Sequence, residues 1–73
     1  MHTTVTTDDA RLAEKMQEAD ESLRKSFAAL PVDDVVREVE RSLGELGIDL
    51  PPETVREYAQ HVSDRADYEL VLP

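Results

Sequence analysis

The sequence predicts an all-α fold, a small three-helix bundle with extended N- and C-terminal tails. Apolar residues recur at helical spacing in three segments, prolines and a glycine separate those segments, and the two ends of the chain lack that spacing. A chain of 73 residues forms one domain at most. We therefore divide it into an extended or disordered lead over 1–7, a single helical domain over 8–67 and an apolar tail over 68–73.

The first helix is predicted over about 8–29. Thr and Asp side chains at 6–9 can cap the exposed amides of a helix start, and Pro31 disfavours helical geometry at the residue before it. Asp20 and Arg24 lie one turn apart, and we expect them to form an ion pair on the outer face of the helix. One apolar stripe defines the inner face and consists of Leu12, Met16, Ala19, Leu23, Phe27 and Leu30.

The second helix is predicted over about 33–46 and the third over about 52–67. Gly47 is a natural left-handed cap for the second helix, whereas Gly44 inside its last turn weakens it or lets another backbone come close. Pro52 suits the first turn of the third helix, where its missing N–H is harmless. The two inner stripes are Val32, Val35, Val36, Val39, Leu43 and Leu46, and then Val55, Tyr58, Ala59, Val62 and Ala66.

The tail over 68–73 is apolar and β-prone, and it belongs to none of the helical stripes. Leaving large apolar side chains in water forgoes about 1.5–3 kcal/mol for each of them, so an ordered position is favoured over disorder. Three ordered arrangements stay open. The tail folds back onto its own bundle, pairs with 3–7 as a two-stranded ribbon, or adds as a strand to the sheet of a partner protein.

Strong negative charge narrows the classes of partner. The chain has 17 acidic and 8 basic residues and a formal net charge of −9, which opposes binding to nucleic acid and to anionic membranes. The excess lies in the second half, since 32–73 holds 11 of the acids and only four of the bases. We expect another protein as partner, either a basic protein or one that offers an apolar surface. A high-GC genome or a salt-adapted proteome would also account for the acidity, and Arg outnumbers Lys by six to two.

The chain has few residues of the kinds that catalysis requires, so we expect that it is not an enzyme. The carboxylates are spread along helix surfaces, no motif activates a serine, and the chain has no cysteine. His61 and Asp64 are three residues apart, but the adjacent Arg65 opposes a cation, and His2 falls in the lead. We therefore expect no metal site and no cofactor. The absence of a leader pattern or a long apolar run leads us to expect a cytoplasmic protein.

Residues 27–62 resemble acyl and peptidyl carrier proteins. These families share F-x-x-L-G-x-D-S-L, a G-I-x-L-P turn and a closing helix that contains T-V; the matching segments here read FAALPVDDV at 27–35, LGIDLP at 46–51 and TV at 54–55. Carriers bear phosphopantetheine on the serine of the first motif, where this chain has Asp34, which cannot form that phosphodiester. The long loop after the first helix and the short helix before the closing one are also missing. The resemblance implies a degenerate carrier-like domain.

The leading functional hypothesis is a small acidic, non-enzymatic protein that binds a protein partner, as an antitoxin-like inhibitor or a regulatory subunit. Alternatives are a homo-oligomerisation module, a nucleic-acid-mimicking inhibitor of a basic protein, and the degenerate carrier-like domain. Self-association, with a homodimer as its simplest form, would use the stripe of Leu12, Met16, Ala19 and Leu23. The predicted partner surface consists of Asp33, Asp34, Glu38, Glu53 and Glu57 together with Tyr68, Leu70 and Leu72 of the tail.

Overall fold

The two ends of the chain meet as a small parallel sheet beside three helices. The computed structural model describes residues 3–72; residues 1, 2 and 73, which include His2 of the predicted lead and the end of the predicted tail, lie outside the described range. The three predicted helices are confirmed, but the all-α prediction did not include the sheet. The elements are β1 (Thr3–Thr6), α1 (Ala10–Phe27), α2 (Val32–Leu46), α3 (Pro52–Ser63) and β2 (Tyr68–Val71).

Side-chain and backbone caps set the ends of α1. Asp9 is the N-cap, and its Oδ1 accepts the N–H groups of Arg11 and Leu12 at 3.0 and 3.2 Å, so the helix begins later than the predicted residue 8. After Phe27 the chain makes a turn in which Ala29 has a φ of 70°. This turn, which usually has glycine at the position of Ala29, ends α1 before the predicted residue 29.

Left-handed caps end α2 and α3. Gly47 has a φ of 71°, and the N–H of Ile48 donates to the carbonyl of Leu43 at 2.9 Å, as the sequence predicts for a glycine cap. Arg65 has the same role after α3 with a φ of 58°. Because no glycine marks this position, the prediction extended α3 to residue 67, beyond its observed end at Ser63.

Strands β1 and β2 are parallel and in register from Thr3 beside Tyr68 to Thr6 beside Val71. The N–H of Leu72 extends the ladder by donating to the carbonyl of Thr6 at 2.8 Å. The tail therefore folds back and pairs with the lead. One face of this sheet packs on the helices, since Thr3 and Leu70 are buried whereas their strand neighbours Thr4 and Glu69 are exposed.

The core lies between the three helices and the inner face of the sheet. Each helix contributes most of the stripe that its spacing predicts, and the apolar residues of the C-terminal segment complete the core. The prediction that Leu30 belongs to the inner stripe of the first helix is wrong, because this residue follows the turn that ends α1 and is 40% exposed. The buried apolar members of the core are Met16, Leu23, Val35, Val39, Leu43, Ile48, Val55, Tyr58, Ala59, Val62, Leu70 and Leu72.

Candidate functional site

A surface groove runs between α2 and α3, beside the connector that joins them. Its volume is about 370 Å³. Most of its wall is apolar, with one acidic and one basic side chain at the sides. The lining residues are Val36, Glu40, Leu43, Gly44, Ile48, Leu50, Pro52, Val55 and Arg56.

Gly44 borders open space in the groove. A Cβ atom placed on Gly44 would meet nothing within 4 Å, so the missing side chain leaves free space rather than admitting a neighbouring backbone. Val36 and Leu50 remain half-buried beside this space, while Leu43 below it is 3% exposed. The groove therefore presents apolar surface that the chain itself does not cover.

Arginines of α2 and α3 are already paired with acids of the same surface. Arg56 Nη1 lies 3.3 Å from Asp33 Oδ1 and links α3 to α2. Arg37 Nη2 lies 3.3 Å from Asp34 Oδ1 within α2. These exposed pairs contribute little stability, but they neutralise the positive charges, so the remaining acids give this surface its negative excess.

Arg41 shows the same arrangement on the outer side of α2. Arg41 Nη1 lies 3.6 Å from Glu38 Oε2 and Arg41 Nε lies 3.5 Å from Glu45 Oε1, so one guanidinium forms ion pairs with two carboxylates. All three arginines of residues 32–63 are thus engaged in ion pairs within this segment. Neither Glu40 in the groove nor the exposed Glu53 takes part in any of these pairs.

The five predicted partner-binding acids have different surroundings. Asp33, Asp34 and Glu38 form the ion pairs described above, whereas Glu53 and Glu57 are exposed on α3 and do not line the groove. Sequence reasoning missed Glu40, the acid that does line it. The four-residue spacing of Val36, Glu40 and Gly44 on one side of α2 was the signal that could have shown it.

The tail residues predicted to bind a partner lie mostly inside the molecule. Leu70 is 1% exposed and Leu72 is 5% exposed, so both belong to the core in this conformation. Tyr68 is half-buried, with its ring centroid 4.7 Å from that of His61 and 5.6 Å from that of Tyr58. Burial and a hydrogen bond with Glu57 raise the pKa of Tyr68.

The predicted self-association stripe on α1 also packs inward. Met16 is fully buried and Leu23 is 3% exposed, while Leu12 and Ala19 are half-buried against the same core. A helix-to-helix dimer through this stripe would have to open the bundle first.

A buried polar cluster joins β1, α1 and α3, and it corrects one sequence-based expectation. Asp20 and Arg24 do form the expected ion pair, with 3.2 Å between Arg24 Nε and Asp20 Oδ1. Its predicted place on the outer face of α1 is wrong, because Asp20 is fully buried. Thr3 and Tyr58 cover it, and they are 17 and 38 residues away in the sequence.

One carboxylate oxygen accepts most of the hydrogen bonds in this cluster. Asp20 Oδ1 accepts from the hydroxyls of Thr3 and Tyr58 at 2.5 Å each, and Arg24 Nη2 donates to Thr3 Oγ1 at 3.0 Å. Asp20 Oδ2 and Arg24 Nη1 are buried without a hydrogen-bond partner among the described residues. Burial, and then the adjacent carboxylate, raise the pKa of Tyr58, so its hydroxyl stays protonated and serves as a donor.

A second cavity of about 330 Å³ lies where α1 and α3 end, and Arg24, Lys25 and Arg65 line it. Cations are favoured near the C-terminal ends of helices, which accounts for these residues without a ligand. His61 Nδ1 lies 2.7 Å from the carbonyl of Glu57, and Asp64 accepts a hydrogen bond from a glutamine. Among residues 3–72 no group of three or more acidic, histidine or cysteine side chains is placed to hold a metal ion.

Comparisons with known proteins give no relative. Neither a protein-family model, nor a curated protein, nor a solved structure matches the chain. None of the helices in residues 3–72 combines the length and the apolar character needed to cross a membrane. At the carrier-like motif, Asp34 is exposed in the first turn of α2.

Proposed function

We propose that this chain is a small, non-enzymatic, cytoplasmic protein that binds a protein partner, as an antitoxin-like inhibitor or a regulatory subunit. The groove between α2 and α3 is its binding site, and the occupant is an amphipathic helix of the partner with basic residues beside its apolar face. The observation that carries this proposal is an uncovered apolar groove set in a surface whose arginines are already neutralised.

Apolar walls supply the attraction for such a helix. Val36, Leu50 and Val55 come from α2, the connector and α3, so they line the groove from three directions. An amphipathic helix places anchors three or four residues apart in a groove of this kind. The missing side chain at Gly44 leaves room for one of these anchors.

Charge favours a basic helix over an acidic one. Glu40 lines the groove, and Glu53 lies outside it but directly follows the lining residue Pro52 in the sequence. Neither carboxylate forms an ion pair with an arginine of α2 or α3. Lysines or arginines beside the apolar anchors would compensate these carboxylates. Since exposed charges are screened by salt, this part of the affinity weakens with ionic strength while the apolar part persists.

Filling the groove at Gly44 tests the proposal. The probe is a synthetic Leu/Lys amphipathic helix titrated into the isotope-labelled protein. We expect shifts of the Val36, Leu43 and Val55 amides, and an affinity about tenfold lower in Gly44→Met, which corresponds to about 1.4 kcal/mol. Gly44→Ala is the matched control, because it adds helix propensity at the same position without reaching across the groove.

Two outcomes would contradict the groove. Equal affinity of Gly44→Met and Gly44→Ala for the probe would place binding elsewhere. Amide shifts spread over all acidic residues, with affinity lost entirely in high salt, would instead support the polyanion-mimic alternative, in which charge alone binds a basic protein.

A further inference from the structure

The two outer edges of the sheet are not equivalent. Thr6 lies beside Val71, and the carbonyl of Thr6 accepts a hydrogen bond from the N–H of Leu72. In a parallel ladder with this pattern, the main-chain N–H and C=O groups of Glu69 and Val71 point away from β1. On the β1 side, the outward carbonyl of Thr3 accepts a hydrogen bond from Gln17 Nε2 at 2.6 Å. No described residue gives or takes a comparable bond at Glu69 or Val71.

The side chains at this edge are exposed as well. Val71 is 63% exposed, the most exposed large apolar residue among those the structure describes. It shares the outer face of the sheet with Glu69, Thr4 and Thr6. Two-stranded sheets are marginal in water, and free edges readily pair with another strand. On the β1 edge Gln17 occupies one of the two outward residues, Thr3 but not Val5, whereas both outward residues of β2 lack such a bond with any described residue, so we expect the β2 edge to be the one that pairs.

We propose that β2 pairs with β2 of a second copy of this chain, antiparallel and about a twofold axis, to form a four-stranded sheet in the order β1-β2-β2-β1. The axis passes at Leu70, so that Glu69 of each copy lies opposite Val71 of the other. These two residue pairs each exchange two main-chain hydrogen bonds, which satisfies the N–H and C=O groups left free on both edges.

Chemistry excludes the neighbouring registers. A shift that sets Glu69 opposite Glu69 brings like charges together, which destabilises a cross-strand pair. The opposite shift sets Val71 opposite Val71 but places Glu69 opposite Pro73, which has no N–H to donate. A shift by one residue would place Glu69 or Val71 opposite a residue whose main-chain N–H and C=O groups already face β1. Such a pair could not exchange hydrogen bonds. The register centred on Leu70 is the one that remains.

Charge sets the salt dependence of this dimer. Each copy has a formal net charge of −9, so two copies repel each other at low ionic strength. Added salt screens this repulsion and should strengthen the dimer, whereas it should weaken the binding of a basic helix in the groove. The dimer rests on the sheet edge and not on the groove, so either proposal can fail without the other.

Sedimentation equilibrium of the purified chain, from micromolar to millimolar concentrations and at low and high NaCl, tests the dimer. We expect a monomer–dimer equilibrium that shifts towards dimer with salt. Val71→Pro removes an N–H that only the second copy uses, and should weaken the dimer at least about tenfold. Val71→Thr is the matched control, since it keeps the N–H and the β-branched shape and should still dimerise.

Amide hydrogen exchange of the wild-type chain gives a second measurement in case Val71→Pro fails to fold. Exchange at Glu69 and Val71 should slow as concentration rises. A monomer at every concentration and salt level would overturn the proposal. So would a dimer that Val71→Pro leaves unchanged, or one whose formation leaves exchange at Glu69 and Val71 unaltered, because association would then use another face.

Discussion

Strands β1 and β2 lie side by side in one sheet, yet opposite kinds of chemistry hold them. The inward anchor of β1 is Thr3, which is fully buried and bonded to Asp20 and Arg24 of α1. The inward anchors at β2 are Leu70 and the adjoining Leu72, both in the apolar core. Hydrogen bonds require a particular geometry, whereas the burial of apolar surface does not. The bonds of Thr3 therefore fix β1 in one specific position, while β2 is held mainly by the apolar area that it buries.

The polar anchor of β1, unlike the apolar anchor of β2, leaves buried polar groups without hydrogen bonds in the part of the chain that the structure describes. Asp20 Oδ2 and Arg24 Nη1 lack partners among the described residues, and an unsatisfied buried group costs about 1–3 kcal/mol, more where it is charged. Replacing such clusters by well-packed apolar side chains is often neutral or stabilising, whereas removing one member is costly. We infer that the cluster specifies where β1 docks more than it adds to stability.

The largest expected effect comes from removing the centre of the polar anchor. Asp20→Leu leaves Thr3, Tyr58 and Arg24 without their acceptor and should lower the free energy of unfolding by about 4 kcal/mol, measured by urea denaturation. The control is Glu21→Leu, an exposed neighbour, which should change it by less than about 0.5 kcal/mol.

A triple variant shows whether the lost stability comes from removing Asp20 itself or from leaving its hydrogen-bond donors unsatisfied. Asp20→Leu combined with Thr3→Val and Tyr58→Phe removes the two hydroxyl donors together with the acceptor and leaves only Arg24 without a partner, so it should recover part of the loss. A triple variant no more stable than Asp20→Leu alone would mean that the cluster contributes net stability.

The apolar anchor should give the next largest effect. Leu70→Ala removes a side chain that is 1% exposed and should cost about 3 kcal/mol in the free energy of unfolding. Its neighbour provides the control, because Val71 is exposed in the single chain and Val71→Ala should cost far less in dilute solution. Similar losses for the two variants would contradict the inward placement of Leu70.

A smaller effect is expected where β1 meets the cluster. Thr3→Val keeps the shape of the side chain but removes the hydroxyl that bonds to Asp20 and Arg24, and should cost about 1–2 kcal/mol by urea denaturation. Thr3→Ser restores the hydroxyl and should recover part of that loss. Equal stability of the Val and Ser variants would show that the hydrogen bonds do not anchor β1.

The smallest expected effect is the loss of stability at alkaline pH, which should depend on the polar anchor and not on the apolar one. The pKa of Tyr58 is raised in the folded state, first by burial and then by Asp20, so above about pH 10 the unfolded chain loses a proton that the folded chain keeps. The contribution of Tyr58 is fully present below that pH, and stability should then fall by about 1.4 kcal/mol per pH unit.

Chemical denaturation at pH 8–11 measures this loss, and Tyr58→Phe should flatten the slope whatever its stability at neutral pH. The pKa of Tyr68 is also raised, so a shallow slope should persist in that variant. The Leu70→Ala variant should keep the wild-type slope, because its side chain does not titrate. Parallel slopes in wild type and Tyr58→Phe would argue against a buried, hydrogen-bonded Tyr58.

Periodicity predicted the helices well because it depends on neighbours three and four residues apart. The same spacing paired Asp20 with Arg24 correctly, but it could not show which face of α1 would be covered. The covering residues Thr3 and Tyr58 come from β1 and α3. Likewise, the sequence contains Gly44 without showing that the space beside it stays empty.

By itself, the sequence determined where the helices form and most of what they bury, because apolar stripes, prolines and Gly47 act locally. Only the tertiary structure decided three things: that the two ends pair as parallel strands, that Asp20 is buried beneath them, and that a groove stays open between α2 and α3. Each depends on segments far apart in the chain, and no local spacing encodes which distant backbone or side chain will cover a given face.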